Sequence, residues 1–225
     1  MSKKRIILKL SGEFFKSADN CVDIDKTFEL AKEIVKIRKQ YQLGLVFGGG
    51  NIFRGRQMTG KNIKNPADWH YVGMASTFVN ALALQAVFGQ LNIPVRIVSA
   101  FDALAKNNNY FSQGEIVIFA FGTGKPFVTT DTTAVVRAIE TKAALVFKAT
   151  KADGVYDDDP EKDLRAKKFD HISYADYLKI KNTAIFDKTA VVLAAKKKIP
   201  IYIFKWGRGI LAKAVKLKAG GTLIQ

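Results

Sequence analysis

The strongest constraint in this sequence is a series of short apolar runs that do not alternate. Arg5–Leu10, Leu45–Phe47, Val95–Ser99, Ile116–Phe121, Ala144–Phe147 and Ile201–Phe204 are dominated by Val, Ile, Leu, Phe and Ala. A strand with one wet face alternates polar and apolar residues. An unbroken apolar run belongs to a strand covered on both faces. Between the runs lie segments of helical period. Leu30, Ile34, Ile37 and Tyr41 share a face within Asp25–Tyr41, and Met74, Phe78, Leu82 and Ala86 recur at intervals of four within Gly73–Leu91. Ala134–Ile139, Asp176–Ile180, Thr189–Lys197 and Gly209–Leu217 also read as helices. Strands alternating with helices predict an α/β chain, a three-layer sandwich around a mostly parallel central sheet. No repeat, low-complexity tract or linker interrupts the 225 residues, so one domain spanning 1–225 is expected.

In such sheets ligands sit beyond the carboxyl ends of the strands. Four glycine-bearing turns fall there: Gly12, Gly48–Gly50, Gly122 with Gly124, and Gly207 with Gly209. The stretch Phe119–Glu140, FAFGTGKPFVTTDTTAVVRAIE, runs from strand through Gly-rich turn to helix. Free backbone N–H groups and the helix dipole there favour an anion, although Asp131 as a plain N-cap of an ordinary turn also fits. Gly48-Gly49-Gly50 has no Cβ atoms, so its amides can approach phosphate oxygens, with Arg54 close behind; a flexible turn beside a surface arginine is the plainer reading. Lys9 lies inside an apolar strand. Either its ammonium meets an anion or the strand is an edge from which it reaches water.

Other motifs count for less. A Walker A pattern is absent. Gly207-Arg208-Gly209-Ile210-Leu211-Ala212 matches a dinucleotide fingerprint, but no second strand with a ribose-binding acid is expected before Gln225. Asp157-Asp158-Asp159 lacks calcium-loop spacing and reads as a solvated turn capped before Pro160; metal ligands stay unassigned. The asparagines 107–109 mark a surface loop, and 51–68 reads as a loop at the site.

Composition narrows the chemistry. The net charge of +16 suggests anionic partners, small phosphates or nucleic acid, yet the lysines are scattered and neither a helix-turn-helix nor an interleaved aromatic stripe appears. One cysteine, Cys21, allows no internal disulfide and suggests a cytoplasmic home. The apolar run after the basic start is too short for export, and no run approaches the ~20 residues of a membrane span. With two histidines and no Ser/His/Asp or Cys/His cluster, the chain suits phosphoryl transfer, where positioning and charge neutralisation dominate, better than acyl transfer.

Lys9-Leu10-Ser11-Gly12-Glu13, GGGNIFRG at Gly48–Gly55, Gly73-Met74 with Asn80–Gln85, GTGKPFVTTD at Gly122–Asp131, KATKADGVY at Lys148–Tyr156 and Gly221–Ile224 together resemble the amino acid kinase family nearly end to end. They look most like its branch that phosphorylates UMP. The resemblance implies the amino acid kinase fold and transfer of the ATP γ-phosphate to UMP with Mg²⁺, in pyrimidine biosynthesis, by a cytoplasmic homohexamer. It implies ATP contacts at Lys9, Leu10, Ser11, Gly12, Gly50, Arg54, Thr150, Tyr156 and Asp159. It implies UMP contacts at Gly49, Thr123, Gly124, Lys125, Pro126, Phe127, Val128, Thr129 and Thr130. Lys9, Arg54 and Asp131 would be catalytic, Asp131 by orienting Lys9 and its neighbours. His70 stands where the family usually carries an aspartate for the UMP ribose, with Asp68 two residues earlier. The glycines tied to GTP activation are missing from Asn20–Asp25, and Lys125 replaces a common asparagine. The rival readings are a carbamate or carboxylate kinase of the same fold and a basic nucleic-acid-binding protein.

Overall fold

The structure, a computed structural model, describes residues 3–53, 64–103, 110–111, 114–181, 183 and 185–225. Its middle is β1 (Lys4–Leu10), paired in parallel with β2 (Tyr41–Phe47) and with β5 (Val146–Thr150). Outside β2 lie β4 (Ile116–Ala120) and β3 (Val95–Ser99), and outside β5 lies β9 (Ile201–Lys205), all parallel. β10 (Thr222–Ile224) runs antiparallel to β9, and β8 (His171–Ile172) closes the edge parallel to β10. The result is an eight-stranded, mostly parallel sheet of order β3-β4-β2-β1-β5-β9-β10-β8. A separate ribbon pairs β6 (Val155–Tyr156) with β7 (Lys168–Phe169).

Helices cover both faces, as the unbroken runs predict. Alternation along β1 sends Ile6, Leu8 and Leu10 into a core with α1 (Ile24–Arg38), α2 (Pro66–Gln90) and α7 (Leu211–Ala214). Ile7 faces the other core, with α4 (Thr130–Glu140), α5 (Tyr174–Lys179) and α6 (Lys188–Lys197). The short α3 (Ala100–Ala103) follows β3, and a 3₁₀ turn spans Gly12–Phe15.

Several boundaries depart from the sequence expectation. Tyr41 opens β2 rather than closing α1, because Tyr41–Phe47 pairs in full register with Lys4–Leu10. Gly44 hides this strand in the sequence, yet packing demands it: a Cβ there would lie 2.5 Å from Ile7 Cδ1. α2 begins at Pro66, not Gly73, so Pro66–Asp68 belong to a helix rather than a loop; a proline in the first turn was the start signal. α5, capped by Ser173, begins at Tyr174, two residues before the expected Asp176. α7 keeps only Leu211–Ala214 of Gly209–Leu217. A strand does follow the Gly207–Ala212 pattern, but β10 is antiparallel and carries no acid, so the dinucleotide reading still fails. α2 is long and apolar enough to cross a membrane by length and composition; one side of it, with Met74, Ala81, Leu84 and Phe88, is buried. Arg54, Gly55 and residues 107–109 lie outside the described residues.

Candidate active site

The site forms where β1, β2, β4 and β5 end. β1 is central, so Lys9 is no edge residue: it is 9% exposed, and alternation points it toward α4. There its Nζ lies 3.1 Å from Oδ1 of Asp131, itself 7% exposed. One strand over, Lys148 of β5 places Nζ 2.7 Å from the other oxygen, Oδ2. Lys148 also donates to the Ile185 carbonyl and lies over the Phe186 ring. The Asp187 amide donates to Oδ2 at 3.1 Å. Two buried ammonium groups thus share one carboxylate, leaving an excess positive charge at the mouth of the sheet.

The ionisation behaviour follows. Burial alone would raise the Asp131 carboxyl, but Lys9 and Lys148 hold it below its ordinary value. Burial lowers Lys148 to about 8; Asp131 opposes the shift and Lys9 adds to it. A buried cation sharing its counter-charge is costly unless a further anion arrives.

Beside the triad opens a cleft of about 650 Å³, lined by Lys9, Ser11, Lys148, Thr150, Tyr156 and Asp159 among others. Five positions expected at ATP therefore converge. A larger cleft, about 980 Å³, lies between α1, Leu91 and Trp206 and holds no expected site residue; chemistry rather than size selects the smaller one. Ser11 accepts the Glu13 amide at 3.3 Å. The Leu10 side chain is buried in the core and its carbonyl accepts Gly48 N–H at 3.0 Å. Asp157–Asp159 fold into a turn in which Asp159 accepts the Glu161 amide at 3.1 Å. Tyr156 donates its hydroxyl to Asp153, 3.1 Å away.

The glycine turns meet. A Cβ on Gly12 would lie 2.2 Å from Asn51 Oδ1 and 2.5 Å from the Gly48 carbonyl. A Cβ on Gly49 would meet the Gly73 carbonyl at 2.7 Å. Gly12 and Gly49 are therefore required by close packing of the turns on each other and on α2. Gly48 also approaches Thr130, whose Oγ1 would lie 4.0 Å from a Gly48 Cβ. Two buried amides brace the turn: Asn51 and Asn80 exchange hydrogen bonds of 2.9 Å, and Asn80 also donates to the Gly48 carbonyl at 2.9 Å.

The turn after β4 is different in kind. Phe121 and Phe127 both adopt left-handed backbone, φ 60° and 62°, costly for bulky L-residues. Phe127 is 66% exposed. Thr123 Oγ1 is buried with no hydrogen-bond partner among the described residues. Thr129, not Asp131, is the N-cap of α4: its hydroxyl accepts the Thr132 amide at 3.1 Å and donates to Asp187 at 2.7 Å. Asp131 is the second residue of the helix, past the cap position, and its oxygens meet the two lysines instead. Gly124, Lys125, Pro126 and Val128 complete the turn, beside the Gly48–Gly50 turn through Thr130.

The model of the amino acid kinase family matches residues 4–205. The chain belongs to the amino acid kinase family. Its relatives include a Pseudomonas putida protein named uridylate kinase, 40% identical over 99% of this chain and 94% of that one. The solved UMP kinase of Ureaplasma parvum is 30% identical, covers both chains fully and superposes with a TM-score of 0.89. That of Bacillus anthracis is 31% identical over 99% of this chain and 96% of its own, with a TM-score of 0.88. In this amino acid kinase, three contributors escaped the sequence reading of single residues. Lys148 was visible as a second lysine inside an apolar run, the signal that had singled out Lys9. Asn80 gave a weaker signal, an amide on the buried side of an apolar helix. Asp187, which joins α4 to α6 by binding Thr129 and the Thr189 amide, gave none beyond its place before a helix.

Proposed function

We propose that the chain is a UMP kinase, transferring the ATP γ-phosphate to UMP to give UDP and ADP in pyrimidine nucleotide biosynthesis. The observation that carries this reading is the excess buried cation of Lys9 and Lys148 on Asp131, at the wall of a cleft. At about 4 Å a unit charge pair gains roughly 4 kcal/mol at an effective dielectric near 20. A transferring phosphate supplies the missing negative charge. The names of the relatives, uridylate kinase and UMP kinase, support UMP as the acceptor.

In this reading ATP lies in the cleft with its phosphates at Lys9, Ser11, Gly12 and Lys148, near Gly50. Its nucleoside lies toward Thr150, Tyr156 and Asp159. UMP lies across Gly49 and the turn Thr123–Thr130, where the buried Thr123 hydroxyl has no hydrogen-bond partner among the described residues. The acceptor oxygen belongs to an ionised phosphate, so no general base is required. Asp131 holds Lys9 and Lys148 in place on the strand ends and opposes the fall that burial imposes on Lys148; Arg54 would add a guanidinium to the phosphates. Catalysis is then positioning and charge neutralisation. Mg²⁺ fits as a part of the nucleotide: among the described residues no three acidic or imidazole side chains cluster, and Asp131 is occupied by lysines. Bound to ATP, it would supply further charge neutralisation at the phosphates.

We assign the enzyme to the cytoplasm and to a homohexamer. The exposed Val72, Val79 and Leu82 of α2 lie on one helical stripe and suit self-association. The deciding experiment measures ADP formation from MgATP with UMP, CMP, dUMP and carbamate offered separately. Turnover with UMP well above the rest is expected; turnover with carbamate alone would move the enzyme to another branch.

A further inference from the structure

The acceptor turn carries a feature that phosphate binding does not require. Phe127 presents a large ring to solvent from a left-handed backbone. Its one aromatic contact among the described residues is His70, in the first turns of α2, with ring centroids 4.3 Å apart and planes at 55°. The neighbouring Trp69 stacks on Phe53 at 5.6 Å and 15°. Phe53 follows the Gly48–Gly50 turn, so Trp69 and His70 at the start of α2 each set a ring against the chain beyond a glycine-bearing turn. Strained backbone and an exposed aromatic persist together where surrounding contacts hold them for a ligand.

We propose that His70 is a positioning residue for the acceptor: its ring holds Phe127 in place, and the Phe127 face is the surface on which the acceptor's planar base stacks. The inference rests on the acceptor reading above and names what that reading left open. Ring stacking tolerates any base, because every base has a π-face. The pair therefore favours a nucleotide over a phosphate lacking a base, without choosing uracil over cytosine. That choice falls to polar groups such as the Thr123 hydroxyl.

The test uses the full-length enzyme and compares His70→Ala, His70→Phe and Phe127→Gly by steady-state kinetics. His70→Ala should raise the KM for UMP about tenfold, of the order of one lost stacking contact, and leave the KM for ATP in place. The ratio of UMP to CMP utilisation should hold. His70→Phe keeps a ring against Phe127 and should recover most of the loss. Phe127→Gly should match or exceed His70→Ala, and the double variant His70→Ala/Phe127→Gly should be no worse than Phe127→Gly alone. An unchanged KM for UMP in His70→Ala overturns the proposal. So does a His70→Phe variant as weak as His70→Ala, which would make an imidazole nitrogen the active part, and so does a parallel rise in both KM values. If the wild type forms no ADP with UMP, the acceptor reading itself fails and this inference falls with it; an active wild type with indifferent variants sinks this inference alone.

Discussion

On the side of the cleft proposed for the phosphate donor, Lys9, Lys148 and Asp131 are all buried, and ion pairs of 3.1 and 2.7 Å fix them on central strands and a helix. On the side proposed for the acceptor, the turn from Phe121 to Thr129 runs through two left-handed phenylalanines, and Phe127 is mostly exposed. The donor side holds charge in a low-dielectric wall, where each pair is strong and each removal costly. The acceptor side holds shape at the surface, where a lost contact changes affinity and little else. In the proposed reading, reaction and recognition rest on different physical terms, and substitutions should separate them.

The largest effect should come from Asp131→Asn, which removes the charge and keeps the size. Two buried ammonium groups would be left without a carboxylate, a loss of roughly 3–5 kcal/mol. For a domain of this size that is a fall in Tm on the order of 10 °C. Turnover should fall by at least about 10³-fold, since both lysines lose orientation. Adding Lys148→Met to Asp131→Asn should restore much of the Tm and none of the turnover. Calorimetry beside the ADP assay checks both, and a single variant with wild-type Tm would mean that the triad does not bear on stability.

Next comes Lys9→Ala. Asp131 keeps Lys148 as its partner, so the fold should survive with an unchanged circular dichroism spectrum, while turnover falls about 10²–10³-fold. Near-normal turnover would remove Lys9 from the reaction and leave it a structural ion pair.

A pH titration sharpens the donor side further. Lys148 is charged below about 8 and neutral above it. Its help to phosphate binding is present at lower pH and lost as pH rises through about 8, so kcat/KM for ATP should fall there. Bound phosphate should move the same inflection upward in kcat, because an added anion favours the charged lysine. Stability should run the other way. The unfolded lysine titrates near 10.4 and the folded one about 8, so between these values the unfolded chain binds more protons and stability rises with pH. Lys148→Met should abolish both trends. If it abolishes neither, another group titrates there.

The sequence revealed these two sides unequally, for physical reasons. Unbroken apolar runs showed the buried parallel sheet, because burial on both faces leaves no polar alternation to disguise it. Tyr41–Gly44 was hidden because Gly44 serves a close contact with Ile7 that only the folded sheet creates. Lys9 was legible because a lysine inside an apolar strand is anomalous by itself. Asp131 was legible as important through the family motif, yet its local context suggested a cap. Only the pairing of β1 with β5 brings Lys148 onto the same carboxylate. The His70–Phe127 contact was legible only as a missing aspartate, since a ring contact between residues 57 positions apart has no local signature.

The smallest effect separates the two sides most cleanly. Thr130 opens α4 and faces the Gly48 turn, clear of the lysine triad's ion pairs. Thr130→Val keeps the shape of the side chain and removes its hydroxyl. If that hydroxyl meets the acceptor, its loss costs about 1–2 kcal/mol, or roughly five- to thirtyfold in the KM for UMP. The KM for ATP should move by less than about twofold, because the donor side is held by charges that the variant leaves intact. Valine at the first helical position disturbs no cap, since Thr129 supplies it. The Tm should therefore stay within about 2 °C of the wild type. Equal rises in both KM values would mean that the two sides of the cleft are one coupled surface.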